Sequence, residues 1–125
     1  DALCRVVLVD DPHYVGFSRV ILNKHVKEMT DLNEMERARV MRVTFAVERT
    51  LRDVLQPDKI NLASLGNKTP HIHWHVIPRF MDDAFFPGSA WSARARDTSA
   101  SILAERRQAA LELPDLIRGL ISRLY

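Results

Sequence analysis

Hydrophobic and polar positions change period several times along this chain, and each change marks an element. Residues Cys4–Val9 are β-branched and apolar and run into the turn-forming cluster Asp10-Asp11-Pro12, which predicts a first strand. Beyond Gly16, Phe17, Arg19 and Ile21 alternate with Ser18, Val20 and Leu22, which predicts a second strand paired with the first as a hairpin. After Asn23-Lys24-His25-Val26, the pair Asp31 and Glu34 has the form of a capping box and predicts the start of a long helix. Val40, Val43, Val47, Leu51 and Val54 then recur at steps of three and four, the buried stripe of an amphipathic helix, until Pro57 stops it. Ile60–Leu65 predicts a short strand. The connection 66–70, with its Gly and Pro, suits a hairpin into a strand running from about Ile72 to Arg79 or Phe80. Pro78 is tolerated there only near the strand end or at a sheet edge.

The remaining third is less regular. Residues 82–92 carry Phe85, Phe86, Pro87, Gly88 and Trp91 and read as an ordered loop. Helical composition returns over 101–108 or beyond. Pro114 separates that segment from a last helix over 115–124, with Leu116, Ile117, Leu120, Ile121 and Leu124 on one side. The fold class is therefore α+β: an antiparallel sheet of four to five strands packed on a long helix, followed by a C-terminal helical segment.

One stretch departs from ordinary strand composition. In His71-Ile72-His73-Trp74-His75-Val76-Ile77, three of the five histidines alternate with apolar residues. A strand points successive side chains to opposite faces, so the imidazoles share one face and Ile72, Trp74 and Val76 the other, free to pack on helices. Neighbouring histidines then lie roughly 6.6 Å apart at their backbones. A lone histidine such as His13 is ordinarily a surface or hydrogen-bonded residue. Three in register, backed by a core-like face, point to chemistry, because imidazole titrates near neutrality and serves as base, acid, nucleophile or metal ligand.

Composition narrows the setting. A length of 125 residues suits one compact domain without an internal boundary. No apolar run approaches the roughly 20 residues needed to span a membrane, which predicts a soluble protein. With 18 basic against 16 acidic residues the charge is mild, which argues against nucleic acid as partner and leaves anionic small molecules as candidates. The single cysteine, Cys4, excludes an internal disulfide or a cysteine-rich zinc site and suits a reducing cytoplasm. No signal-peptide pattern is visible. The numbering opens on Asp1 and a strand-like run begins almost at once, which leaves room for a preceding segment.

Two mechanisms can use the histidine face. In one, the histidines bind zinc and Asp82 or Asp83 acts as general base. An ideal strand separates His71 and His75 by about 13 Å, so two can meet one ion while three need distortion. In the other, His73 attacks an electrophilic phosphorus while its neighbours orient it, protonate the leaving group or bind phosphate oxygens. The surroundings suit phosphate: Gly66-Asn67-Lys68-Thr69 offers backbone N–H groups, an amide, an ammonium and a hydroxyl, and Arg79 lies four residues past the motif. Taken singly, a Gly-Asn pair is more often just a turn and Lys68 a solvated charge; their convergence on the histidine row carries the weight.

At residues 71–77 the sequence resembles the histidine triad (HIT) superfamily of nucleotide hydrolases and transferases, whose signature of three histidines alternating with hydrophobic residues it matches at all seven positions. Residues 17–31 look like the family's strand carrying a fourth histidine, followed by its helix start. The resemblance covers 4–92 and leaves 93–125 as a helical extension. It implies a metal-independent enzyme, with no required cofactor, acting at the α-phosphate of dinucleoside polyphosphates, diadenosine polyphosphate preferred, or of nucleoside phosphoramidates. A divalent cation would enter only with the substrate phosphates. It also implies a homodimer, with the long helix or an edge strand at the interface.

By the same resemblance His73 is the nucleophile, His71 and His75 orient it and contact the phosphate or leaving group, and His25 is the supporting fourth histidine. Asn67 stands where many members carry glutamine, and Asn61 where a polar residue nears the ribose or phosphate. Asn23, Lys68 and Thr69 complete the implied substrate-binding set. Lys68 departs from the Ser or Thr of better-known members, with Thr69 as substitute, and the cysteine pairs that hold structural zinc in some relatives are absent. A nucleotide-binding or interaction module with little turnover is the reading from a different class. Specificity would rest on residues 10–17 and 85–91, where Trp91 can stack on a base, pack at a subunit interface or fill the core.

Overall fold

The computed structural model describes residues 2–124. Strands β1 (Cys4–Leu8), β2 (Ser18–Leu22), β3 (Lys59–Ala63) and β4 (His73–Arg79) form one antiparallel sheet in the order β1-β2-β4-β3. Both predicted hairpins are present. Helix α1 (Glu34–Leu55) packs across one sheet face, and α2 (Ala100–Ala110) and α3 (Leu113–Leu124) follow the loop after β4. No helix among the described residues is long and apolar enough to cross a membrane.

The periodicities locate the core. Val43, Val47 and Leu51 of α1 meet Val20 of β2 and Val76 of β4, while Leu113 and Ile117 of α3 close the cluster beside Cys4. Each such side chain contributes about 1.5–3 kcal/mol by leaving water. Val54 is only partly buried, and Leu55 completes the stripe. Leu116, expected on the buried side of the last helix, is exposed because α3 seats through Leu113, Ile117 and Ile121, and Leu116 lies off that row. Pro114 sits inside the first turn of α3, where a missing N–H costs no helical bond.

The helix start is corrected by two residues. Asp31 ends a 3-10 turn over Met29–Asp31, and the cap of α1 is Asn33: its side chain accepts from the Glu36 N–H at 2.9 Å while Glu36 accepts from the Asn33 N–H at 3.0 Å. Asp31 and Asn33 both offer cap chemistry, and the turn decides between them. Pro78 lies in a strand that is interior to the sheet. The Ile72 carbonyl accepts from Leu22 of β2, so the polar backbone groups of the alternate residues, Pro78 among them, face β2. That strand ends opposite Val76, so the ladder needs no N–H from Pro78.

After β4 the chain turns around a buried ion pair. Asp83 accepts from Arg79 Nε at 2.8 Å and Nη2 at 3.1 Å and from the backbone N–H groups of Phe80, Phe85 and Phe86. Burial alone would raise the Asp83 carboxyl, but the bonds from Arg79, Phe80 and Phe85 outweigh it and hold it below the ordinary carboxylate value. Replacing Asp83 with Ala strands a buried guanidinium and frees three backbone N–H groups. We expect Asp83→Ala to lose about 3–5 kcal/mol. Urea unfolding measures this, and a loss under about 1 kcal/mol would contradict the assigned role.

Candidate active site

The alternation of β4 works as read. Ile72, Trp74 and Val76 face α1, and His71, His73 and His75 face an open cleft of about 510 Å³ that also holds His25, Thr69, Pro70, Ile21 and two arginines. A cavity of about 550 Å³ between β1 and α3 is lined by Arg5 and Arg118 with mainly apolar neighbours and contains no histidine. The candidate site is the histidine cleft.

Carbonyl oxygens fix where the protons sit. His71 precedes β4 and its Nε2–H donates to the Leu22 carbonyl at 2.6 Å, while its Nδ1 lies 3.0 Å from Nδ1 of His25. Since a carbonyl only accepts, His71 carries its proton on Nε2, and in the neutral pair His25 donates. His73 Nδ1–H donates to the His71 carbonyl at 2.7 Å. The neutral His73 ring therefore keeps its lone pair on Nε2.

His75 is different. It is 5% exposed, edge-on to His73 at 4.9 Å between centroids, and enclosed by Phe17 at 5.7 Å and Trp91 at 5.1 Å. Burial, then the nearby His73 and Arg19 charges, pushes its pKa down to about 4, so it is neutral at pH 7.

Of the residues singled out in the sequence, the fold brings His25, Thr69, His71, His73 and His75 together. Asn67 and Lys68 are exposed on the loop and do not line the cleft. Asn61 instead accepts from Arg79 Nη1 at 2.9 Å, and Asn23 links Arg5 to the Ala2 carbonyl. Arg79 is no phosphate ligand: it is 2% exposed and committed to Asp83, Asn61 and the Gly88 carbonyl. The two aspartates considered as bases for zinc chemistry are likewise engaged, Asp83 with Arg79 and Asp82 with Arg106 at 2.9 Å. Among the described residues no group of three or more His, Cys, Asp and Glu side chains is arranged to hold a metal ion. Trp91 is 55% exposed, which removes it from the core.

Arg5 and Arg19 also line the cleft. Arg19 stands opposite His75, and Arg5 stands opposite Ile21, which in turn faces His73. The signal was a charged residue at an alternating position of each apolar strand; register supplied the rest.

An α+β sheet carrying alternating histidines over a basic cleft defines a triad-type histidine site. The family model described as HIT domain matches residues 1–82, and the chain belongs to the histidine triad family. A Mycobacterium tuberculosis protein described as AP-4-A phosphorylase is 31% identical over 81 residues, covering 60% of this chain and 42% of that protein. A HIT-like protein of Borreliella burgdorferi is 29% identical over 92 residues, covering 68% of this chain and 66% of that one. The chain thus spans less than half the length of the first relative and about two thirds of the second. A histidine triad protein of known structure from Bradyrhizobium japonicum matches with a TM-score of 0.75 and 28% identity, over 92% of this chain and 84% of that one.

The His75 environment has a consequence for stability. Folding disfavours the protonated ring, so the unfolded chain takes up the proton first. Stability is full above about pH 6.5 and falls as the pH drops from there toward 4. We expect urea midpoints to decline over that window, and His75→Phe to flatten the decline. An identical pH slope in the variant would contradict the assignment.

Proposed function

We propose that the chain is a nucleotide hydrolase or nucleotidyl transferase that acts at an α-phosphate through a nucleotidyl-histidine on His73. The observation that carries this reading is the 2.7 Å bond from His73 Nδ1–H to the His71 carbonyl, because it leaves Nε2 as the free nucleophilic atom in the cleft. Nε2 attacks phosphorus, and the bond to the leaving oxygen breaks with its electron pair staying on the leaving group. The ring becomes a substituted imidazolium, and its Nδ1–H bond to the His71 carbonyl strengthens as the charge appears. Water then attacks phosphorus, the N–P bond breaks with its pair returning to Nε2, and the water proton passes to solvent.

His71 positions the reaction, since its carbonyl orients His73 and its own ring is held by Leu22 and His25. His75, neutral and packed against His73, offers an N–H to a phosphate oxygen. Inorganic phosphate in place of water would give phosphorolysis, and the Mycobacterium tuberculosis relative described as AP-4-A phosphorylase supports a dinucleoside polyphosphate as substrate. No step requires a metal; divalent ions would enter with substrate phosphates.

Removing His73 removes the nucleophile, so we expect His73→Ala to lose several orders of magnitude in kcat with nucleotide affinity largely kept. Rapid quench with intact mass measurement, with chelator throughout, should trap a nucleoside monophosphate adduct in the wild type and none in the variant. Near-normal turnover in the variant, or an adduct on another residue, would sink the mechanism. Bound nucleotide without turnover in the wild type would favour a binding module instead.

Assembly is a second proposal. Val7 and Leu8 on the edge strand β1 and Phe45 on α1 are exposed, consistent with a twofold dimer through an edge strand or the long helix. Sedimentation should reveal a species of twice the chain mass, and monomer alone across micromolar concentrations would contradict it.

A further inference from the structure

The histidine cleft is positively charged on one side, and no described residue lining it balances that charge. Its lining contains Arg5 and Arg19 and no aspartate or glutamate. Among the described residues neither arginine has a carboxylate partner: Arg5 Nη1 donates to the neutral amide of Asn23 at 3.1 Å, and Arg19 rests over the Phe17 ring at 5.5 Å with a buried Nε that makes no hydrogen bond. The sheet register ranks them beside the chemistry. Arg5, Ile21 and His73 form one cross-strand row; Val7, Arg19 and His75 form the next. At about 4.8 Å between strands, Arg19 lies one strand from the histidines and Arg5 two, both within reach of a ligand on His73 that extends toward β1. Guanidinium groups held without counter-ions at such a place match phosphate oxygens in geometry and charge.

We propose that Arg5 and Arg19 form an anion subsite that takes the phosphates of the leaving group, so that the site selects leaving groups carrying phosphate over amines. This rests on the nucleotidyl-transfer reading above for its consequence, though not for the binding itself. The selection has a second physical basis. His75 is neutral at pH 7 and His71 spends its Nε2 proton on the Leu22 carbonyl, so neither is a ready acid for an amine that must leave protonated. A phosphate leaving group departs as a stable anion and needs no such proton.

Binding of inorganic tripolyphosphate and of orthophosphate, measured by calorimetry without divalent ions, tests the subsite independently of turnover. We expect the wild type to prefer tripolyphosphate and Arg19→Gln to weaken it about 10–100-fold, as loss of a charge-assisted contact implies. Arg5→Gln, at an exposed edge position, should also weaken it and serves as the second variant should Arg19→Gln fold poorly. Arg49→Gln, on the outer face of α1, controls for net charge and should bind as the wild type does. The ratio of kcat/KM for a dinucleoside polyphosphate over a nucleoside phosphoramidate should fall at least tenfold in the cleft variants. Arginine-independent tripolyphosphate binding, or no preference over orthophosphate, would overturn the subsite even if the enzyme turns nucleotides over. Arginine-dependent binding without any turnover would uphold the subsite and overturn the catalytic reading.

Discussion

A carbonyl oxygen has lone pairs and no proton to give, and the carbonyl of His71 uses that asymmetry to set the state of the ring two residues later. Its aim is fixed by backbone bonds on several sides. The His71 N–H donates to the Thr69 carbonyl, the Ile72 N–H to Val26, and the Ile72 carbonyl receives Leu22 of the neighbouring strand. The His71 ring adds a further bond to Leu22. A segment stapled this way cannot rotate its carbonyl away without breaking several bonds, so the tautomer of His73 is a property of the sheet rather than of one side chain.

A second line of dependence runs from the buried ion pair to the same site. Asp83 gathers three backbone N–H groups, Arg79 holds the Gly88 carbonyl, and Arg96 holds the carbonyls of Asp83 and Phe86. The loop so shaped delivers Trp91 to the edge of His75. Together with Phe17 it excludes water from that imidazole, and exclusion of water keeps the ring neutral. Arg79 thus acts on the cleft through the fold, without touching a ligand.

The architecture was legible wherever periodicity was strong: four strands, two hairpins, one long helix and the histidine face follow from alternation and from steps of three and four. The shared face of His71, His73 and His75 was legible because it is local. Side-chain partners were not legible where tertiary contacts decide them. Arg79 looks like a phosphate ligand until Asp83, four residues on, folds back against it. The Asn61 side-chain oxygen is held by Arg79, a partner eighteen residues away that the strand pattern does not reveal. Arg5 and Arg19 belong to the cleft only because of a register that no single strand encodes. Asp31 and Asn33 differ by two positions and carry the same capping chemistry, so the choice between them lay in a turn the pattern does not reveal.

The chain has two tryptophans, and the sheet puts them in different worlds. Trp74 packs against the helix side, among Leu22, Val76 and their neighbours, while Trp91 stands more than half exposed with its ring against His75, a residue that lines the cleft. An indole emits at a wavelength and intensity set by its surroundings, so the protein carries an optical gauge beside His75 and a second, partly buried indole on the helix side as an internal reference. Occupancy of the histidine site is thereby convertible into light without a label, a coupled assay or a chromogenic substrate, even for ligands that never react.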